Sequence, residues 1–255
     1  MKRIINMLVL ASALLFSLPA MAETNKDTLT VWNDLPDFDQ IDVTNVDVQY
    51  VEGETNSIAL YNEQQQEVEL KWEVQGKTLV VKLMPNEQKS KGRHFKFLGF
   101  EYSRSHDYEI YPGGVRLVIT GPTLKGCILN GFGTCEIGNL CSDGQVNIST
   151  NGTATAKIGN VKTSKAYLSA SDVSHIKAEI EASYINLAVS GASDAEVQCD
   201  APEAYTLASG SSHINMKGNY GSVTAAASHA STITISGSVQ KRNFSTSGVG
   251  NITVE

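Results

Sequence analysis

The 255-residue sequence predicts an all-β fold, a parallel β-solenoid with about 19–21 residues per turn over its C-terminal half. Three observations predict it. A polar residue followed by glycine, or by a residue able to replace glycine, recurs seven times at steps of 21, 20, 19, 19, 19 and 19. Apolar residues stand at fixed offsets after each recurrence. The rest of the chain alternates apolar and polar residues with a period of two, and no segment sustains a helical period, although Ala178 to Ala188 is briefly ambiguous.

Taken from the N-terminus, Lys2 and Arg3 precede an apolar run from about Ile4 to Leu18, followed by Pro19 and the small-residue site Ala20-Met21-Ala22. This is the order of a secretory signal peptide, residues 1–22, cleaved after Ala22. The run is shorter than the ~20 residues that cross a bilayer, and no later segment is apolar enough to do so. No cysteine stands at the cleavage point, so a lipid anchor attached there is not supported. Removing 22 residues and two bases leaves 233 residues with 18 bases against 27 acids, a formal charge of −9 instead of −7. The expected product is exported and acidic, in the periplasm or on the bacterial cell surface, with no membrane span. A nucleic-acid partner is excluded because no surplus of bases exists to neutralise phosphates.

Residues 23–126 read as a less regular β part of the same solenoid. Strand patterns occur at Ile41-Asp42-Val43, Val46 to Tyr50, Ser57 to Leu60, Val68 to Val74, Leu79 to Leu83 and Val115 to Ile119. The stretch 86–107 departs from that pattern. It gathers Lys91, Arg93, His94 and Arg104 around Phe95, Phe97, Phe100 and Tyr102, and is expected to be an excursion from the body.

Residues 127–255 form the seven-turn repeat. Its anchors are Gly131, Gly152, Asp172, Gly191, Gly210, His229 and Gly248. Asp and His tolerate the left-handed backbone region better than most residues, so one turn geometry is expected at all seven. Two residues on, every position is Gly, Ala or Ser, as a tight stack of turns requires. Four residues on come Cys135, Ala156, Ile176, Ala195, Ile214, Ile233 and Ile252, and six on come Ile137, Ile158, Ala178, Val197, Met216, Ile235 and Val254. Polar residues lie between these columns, so each turn carries a strand with one buried and one wet face. Such a strand cannot bury its apolar face alone, and the turns must stack. A propeller, a sandwich or a leucine-rich repeat would need longer units, frequent hairpin turns or a leucine ladder.

These residues resemble the bacterial autotransporter-adhesin head, or GIN-domain, family of exported proteins. The resemblance spans roughly residues 35–255. It rests on Phe38 to Val43, Val46-Asp47-Val48 and Gly76 to Val81, and on the Ser-Gly repeats at Ser190-Gly191, Ser209-Gly210 and Ser247-Gly248. It implies a right-handed, single-stranded parallel β-helix and a non-enzymatic adhesion-like role, with no catalytic residues and no cofactor. Two departures stand out: the Gly-Asp pair typical of the repeat is degenerate, and the strand ending at Glu255 leaves no room for a translocating β-barrel of some eight or more strands.

Four features are candidates for chemistry. His175, Asp194 and His213 fall three residues after successive anchors, and this surface ladder could hold a divalent metal or remain a solvated polar column. The excursion, with Lys91, Arg93, His94, Phe97, Tyr102 and Arg104, suits contact with glycans or an acidic surface partner, or folds back as a cap. The C-terminal strand Asn251 to Glu255 offers open backbone groups for pairing with a second copy. Cys127 and Cys135 read as small buried hydrophobes, with a Cys127–Cys135 or Cys135–Cys141 disulfide the alternative. A polysaccharide lyase or hydrolase is the competing function. Its paired carboxylates or Arg/Lys base belong on long loops, whereas the repeat turns are short and Arg242 is the one arginine after residue 126. A periplasmic assembly component is the third reading.

Overall fold

The computed structural model describes residues 28–89, 93–97, 100–104 and 107–255, so the signal sequence expected at 1–22 lies outside the described residues. Strands make up most of the described residues and stack as a β-solenoid of about 7 turns, with no helix among the described residues. Each repeat turn has an entry strand running into the anchor residue and an exit strand leaving it. In-register parallel pairing of successive turns builds these into two long faces, bridged by a shorter third face.

Every anchor of the repeat has a positive φ: 77° at Gly131, 87° at Gly152, 67° at Asp172, 78° at Gly191, 79° at Gly210, 61° at His229 and 67° at Gly248. The reason is visible at Gly210, where a Cβ would come within 2.6 Å of the carbonyl oxygen of Gly191 in the turn below. Asp172 uses its side chain instead, its Oδ2 accepting a hydrogen bond from the backbone N–H of Gly152 at 3.1 Å. An eighth anchor, Asn45 (φ 62°), precedes these seven. Its N–H donates to the carbonyl of Asn130 at 3.1 Å, and its Oδ1 accepts from the N–H of Phe132 at 3.3 Å. It escapes the sequence pattern because Asn replaces Gly and 86 residues separate it from Gly131.

The small residue two positions on is buried and ties one turn to the turn before. Ser174 Oγ donates to the carbonyl of Thr150 at 3.0 Å, Ser212 Oγ to that of Val189 at 3.2 Å and Ser231 Oγ to that of Ala208 at 3.0 Å. The columns four and six residues on face the core. Ile176, Ile214, Ile233 and Ile235 are fully buried, each contributing ~1.5–3 kcal/mol. In the last turn, Ile252 and Val254 are half-buried.

Stacking order in the N-terminal part differs from chain order. Gln40–Thr44 and Asp47–Glu52 make a true turn directly beneath Gly126–Asn130 and Phe132–Ile137. The chain then leaves the stack, and the strands Thr78–Leu83 and Val115–Gly121 return parallel beneath that turn. Beyond them the pairing becomes antiparallel: Leu70–Gln75 lies against Thr78–Leu83, and Ser57–Asn62 lies between Val115–Gly121 and Thr28–Trp32. The outermost strands of the two faces meet through an edge-to-face contact of Trp32 and Trp72, with ring centroids 6.2 Å apart. This end is thus closed by antiparallel strands. Period-two alternation reveals a strand's buried face but neither its direction nor its partner.

The described residues of the stretch 86–107, expected to depart from the strand pattern, form two antiparallel two-stranded ribbons. Asn86–Lys89 pairs with Asp107–Ile110, and Arg93–Phe97 pairs with Phe100–Arg104, both antiparallel. Backbone pairing alone defines such a ribbon, so it needs no alternation of apolar and polar residues.

Close stacking at the anchors makes a sharp prediction. At Gly76, φ is 64° but no atom lies within 4 Å of the position a methyl would take, so Gly76→Ala meets only the backbone cost of about 1–2 kcal/mol. Gly210→Ala adds collision with the Gly191 backbone, and its denaturation midpoint is expected to fall clearly further. Equal losses in chemical denaturation would remove stacking as the reason for glycine.

Candidate functional site

The exit face carries most of the charge of the repeat. Its outward column five residues after the anchors runs Glu136, Lys157, Lys177 and Glu196 in register. Parallel pairing places like positions ~4.8 Å apart, so two neighbouring lysines must each turn to a different acid. They do: Lys157 Nζ lies 3.0 Å from Glu136, and Lys177 Nζ lies 3.7 Å from Glu196. These side chains are more than half exposed, so each pair contributes at most ~1 kcal/mol.

Two residues further on, the strands bend towards the third face around Gly138 and Gly159, where missing side chains open the floor of a groove. The groove has a volume of about 1000 Å³ and runs along the solenoid axis beside Glu179, Gln198 and Lys217. A depression of about 450 Å³ continues it across the third face, where Lys162 pairs with Glu181 at 2.9 Å. There Asp200 Oδ1 accepts hydrogen bonds from the backbone and side-chain N–H groups of Asn219. The arrangement offers alternating donors and acceptors along a line. Sequence reasoning recognises the wet column but misses the groove, because the extra residue at Gly159, where the pairing register shifts, shows only as a step of 20 instead of 19 and does not say on which face the strands bend.

Three residues after the anchors, His175, Asp194 and His213 occupy adjacent rungs of the same face. His213 Nδ1 lies 3.2 Å from Asp194 Oδ1, an ion pair when the imidazole is protonated. Among the described residues no three His, Cys, Asp or Glu side chains are gathered tightly enough to hold a metal ion. The ladder is a polar column with one linked pair.

In the ribbon of Arg93–Phe97 and Phe100–Arg104, Arg93 registers opposite Arg104, Phe95 opposite Tyr102 and Phe97 opposite Phe100, while His94 falls opposite Ser103. Backbone pairing therefore brings five of the six sequence-selected residues into one short hairpin. The sixth, Lys91, lies outside the described residues.

All four cysteines are free thiols. Cys127 and Cys135 face each other inside the first repeat turn with their sulfurs 3.5 Å apart, Cys199 is buried, and Cys141 is exposed on the third face. The hydrogen bond shared with Cys127, together with burial, holds the Cys135 thiol well above its ordinary range. Burial, with the nearby Asp200 carboxylate, pushes Cys199 up to about 12. Burial likewise raises Tyr220 and Tyr50, whose hydroxyl donates to the carbonyl of Gly121 at 2.8 Å.

A family model described as "Putative auto-transporter adhesin, head GIN domain" matches residues 37–199. Among solved structures, a putative adhesin from Bacteroides fragilis superposes with a TM-score of 0.68 at 19% identity, covering 91% of this chain and 99% of that one. A putative lipid binding protein from Parabacteroides distasonis has a TM-score of 0.64 at 17% identity, covering 91% and 98%. A putative adhesin from the same species has a TM-score of 0.64 at 14% identity with the same coverage. These likenesses establish a shared fold. A search of curated proteins finds no significant match. No helix among the described residues is long and apolar enough to cross a membrane.

Two measurements test the thiol environments. Alkylation of the native protein near neutral pH is expected to label Cys141 alone and, in denaturant, all four cysteines. Two labels in denaturant would overturn the free-thiol state of the Cys127–Cys135 pair. The second measurement follows stability against pH. The Cys199 thiol ionises above 9.0 when unfolded and only near 12 when folded, so its contribution is complete below pH 9 and is lost as pH rises towards 12. Tyr220 adds loss of the same sign. Cys199→Ala is expected to weaken the alkaline decline, and an unchanged profile would assign that decline elsewhere.

Proposed function

The chain belongs to the auto-transporter adhesin head GIN-domain family, and from that premise we propose that it is an exported, non-enzymatic scaffold that presents a long rigid surface to an extended partner. One observation carries this reading: each outward column is a straight ladder, one residue per turn, running the length of the stack. A ladder of this kind repeats a contact at a fixed spacing. It suits a partner that itself repeats, such as a glycan chain or a surface polymer, better than a small substrate enclosed on all sides.

Support also comes from how the polar groups are distributed. The exit-face acids and bases are engaged with one another across rungs, at Glu136–Lys157, Lys177–Glu196 and Asp194–His213. General acid–base work instead needs groups converging within hydrogen-bond reach of one bond. The paired strands Arg93–Phe97 and Phe100–Arg104 add a basic and aromatic hairpin as a second contact element.

The test is location together with adherence. A membrane-impermeant amine reagent applied to intact cells is expected to label the protein as fully as after lysis, and beads coated with it are expected to attach to a host or bacterial surface. Labelling confined to lysed cells would overturn the adhesion reading and favour assembly within the periplasm. Turnover in a screen for reducing-sugar release would overturn the non-enzymatic assignment.

A further inference from the structure

The entry face differs from the exit face in one chemical respect. From the turn of Asn147 to that of Asn243, its outward columns one, three and five residues before the anchors contain no Asp, Glu, Lys, Arg or His. The column three before is Ser, Ala and Leu, and the column one before is Asn and Ser. The column five before reads Asn147, Tyr167, Asn186, Tyr205, Thr224 and Asn243, paired rung to rung in register. In an acidic protein whose opposite face is laced with ion pairs, this is a continuous uncharged strip six turns long.

Its aromatic residues are placed at a repeat. Tyr167 and Tyr205 sit two rungs apart, ~9.6 Å along the axis, with the amide of Asn186 between them. Tyr205 is 38% exposed, as is Leu207 beside it. Tyr184, from the edge of the face, packs against Tyr167 with ring centroids 5.8 Å apart. Two shallow depressions meet at Tyr167: one of about 320 Å³, lined by uncharged residues on the strip, and one of about 510 Å³ at its edge, where Lys165 and Glu203 lie. The turns of this region advance by 19 or 20 residues without insertion, so no loop overhangs the strip.

We propose that this strip is a binding platform for a neutral, unbranched polysaccharide chain lying along the solenoid axis. Three properties select that ligand. A neutral chain loses nothing where no counter-charge is offered, whereas an anionic polymer or a charged protein surface gains nothing there. A sugar ring presents an apolar face that covers a tyrosine ring and equatorial hydroxyls that bond to amides and serines, and tyrosine supplies such contact at low entropic cost. A tyrosine, an amide and a tyrosine on successive rungs match an extended chain in which alternate sugars present the same face. A lipid bilayer fits less well, because the carboxamides of Asn186 and Asn243, in the column of the tyrosines themselves, would have to leave water. Tyrosine is common on strands for reasons of packing alone, but Tyr205 projects into solvent rather than towards a neighbouring layer.

The proposal rests on the scaffold reading and deepens it. It is tested by affinity electrophoresis in native gels cast with hydroxyethylcellulose or mixed-linkage β-glucan, with alginate as the anionic comparison and flotation with phosphatidylcholine vesicles as the lipid comparison. Wild type, Tyr205→Ala, Tyr167→Ala, Tyr205→Phe and the exit-face variant Lys177→Ala are compared after thermal melting has confirmed folding. Retardation is expected in at least one neutral gel and to persist at high salt. Tyr205→Ala is expected to weaken it roughly tenfold, while Tyr205→Phe and Lys177→Ala leave it largely intact. No retardation in any neutral gel overturns the platform, as does retardation by alginate alone, binding to phosphatidylcholine vesicles alone, or loss through Lys177→Ala with the tyrosine variants unaffected. Coated beads that still attach after both tyrosines are removed would sink the platform and leave the adhesion reading standing. Gel retardation by a protein that intact-cell labelling cannot reach would do the reverse.

Discussion

Everything in this fold follows from how closely one turn's backbone lies on the next at the anchor. Around Gly191 and Gly210 the stacked backbones leave no space for an ordinary Cβ, and the chain must turn there with positive φ. That fixes the rung spacing and the register of both long strands of a turn. It also makes the next buried position small, because Ser174, Ser212 and Ser231 reach back to a carbonyl of the preceding turn. With register fixed, like positions form columns, and each column must solve the problem of neighbours ~4.8 Å apart. Apolar columns solve it by packing, amide and hydroxyl columns by mutual hydrogen bonds such as Asn151 to Asn130 and Ser171 to Asn151. Charged columns solve it by alternating sign or by turning away from a like neighbour, as Lys157 and Lys177 do.

What is legible in the sequence is what this constraint repeats. Asp172 and His229 can be assigned as anchors without glycine because the columns on both sides of them keep step. Asn45 obeys the same geometry, yet it is invisible, since its neighbours along the axis are distant in sequence. The out-of-order strands Thr78–Leu83 and Val115–Gly121 are recognisable as strands but not as neighbours of Gln40–Thr44 and Asp47–Glu52. Parallel direction and partner choice are properties of the assembled stack. The ribbons at 86–107 escape a reading by alternation because their pairing is carried by the backbone, which composition does not report.

The two ends of the stack differ physically. At the first, antiparallel strands and the Trp32–Trp72 contact cover both faces, and Val68, Leu70 and Val74 pack against the core. At the other, Phe244, Ile252 and Val254 remain half-buried and the strand Val239–Thr246 is largely exposed. Solenoid stability is close to a sum of nearest-neighbour terms. The turn containing Val239–Thr246 and Asn251–Val254 has one strand neighbour on each face among the described residues, whereas the inner repeat turns have two, so it is held by fewer nearest-neighbour contacts.

The same geometry limits the chemistry such a surface can perform. Each rung contributes one residue to a column, so His175 and His213, on either side of Asp194, are separated by two rungs or ~9.6 Å of backbone. Three side chains from one straight column do not converge on a point; convergence needs neighbouring columns or a loop that bends over them. The repeat turns supply no such loop. What a straight column does well is to present one group at regular intervals, and the value of that presentation rises with the number of turns, because each added rung binds a partner already held by the last. The two long faces then divide the work. The exit face spends charges on internal pairing, while the entry face keeps Lys165, Glu203 and Lys241 to its edge and leaves its tyrosines and amides available to a partner that repeats as the protein does.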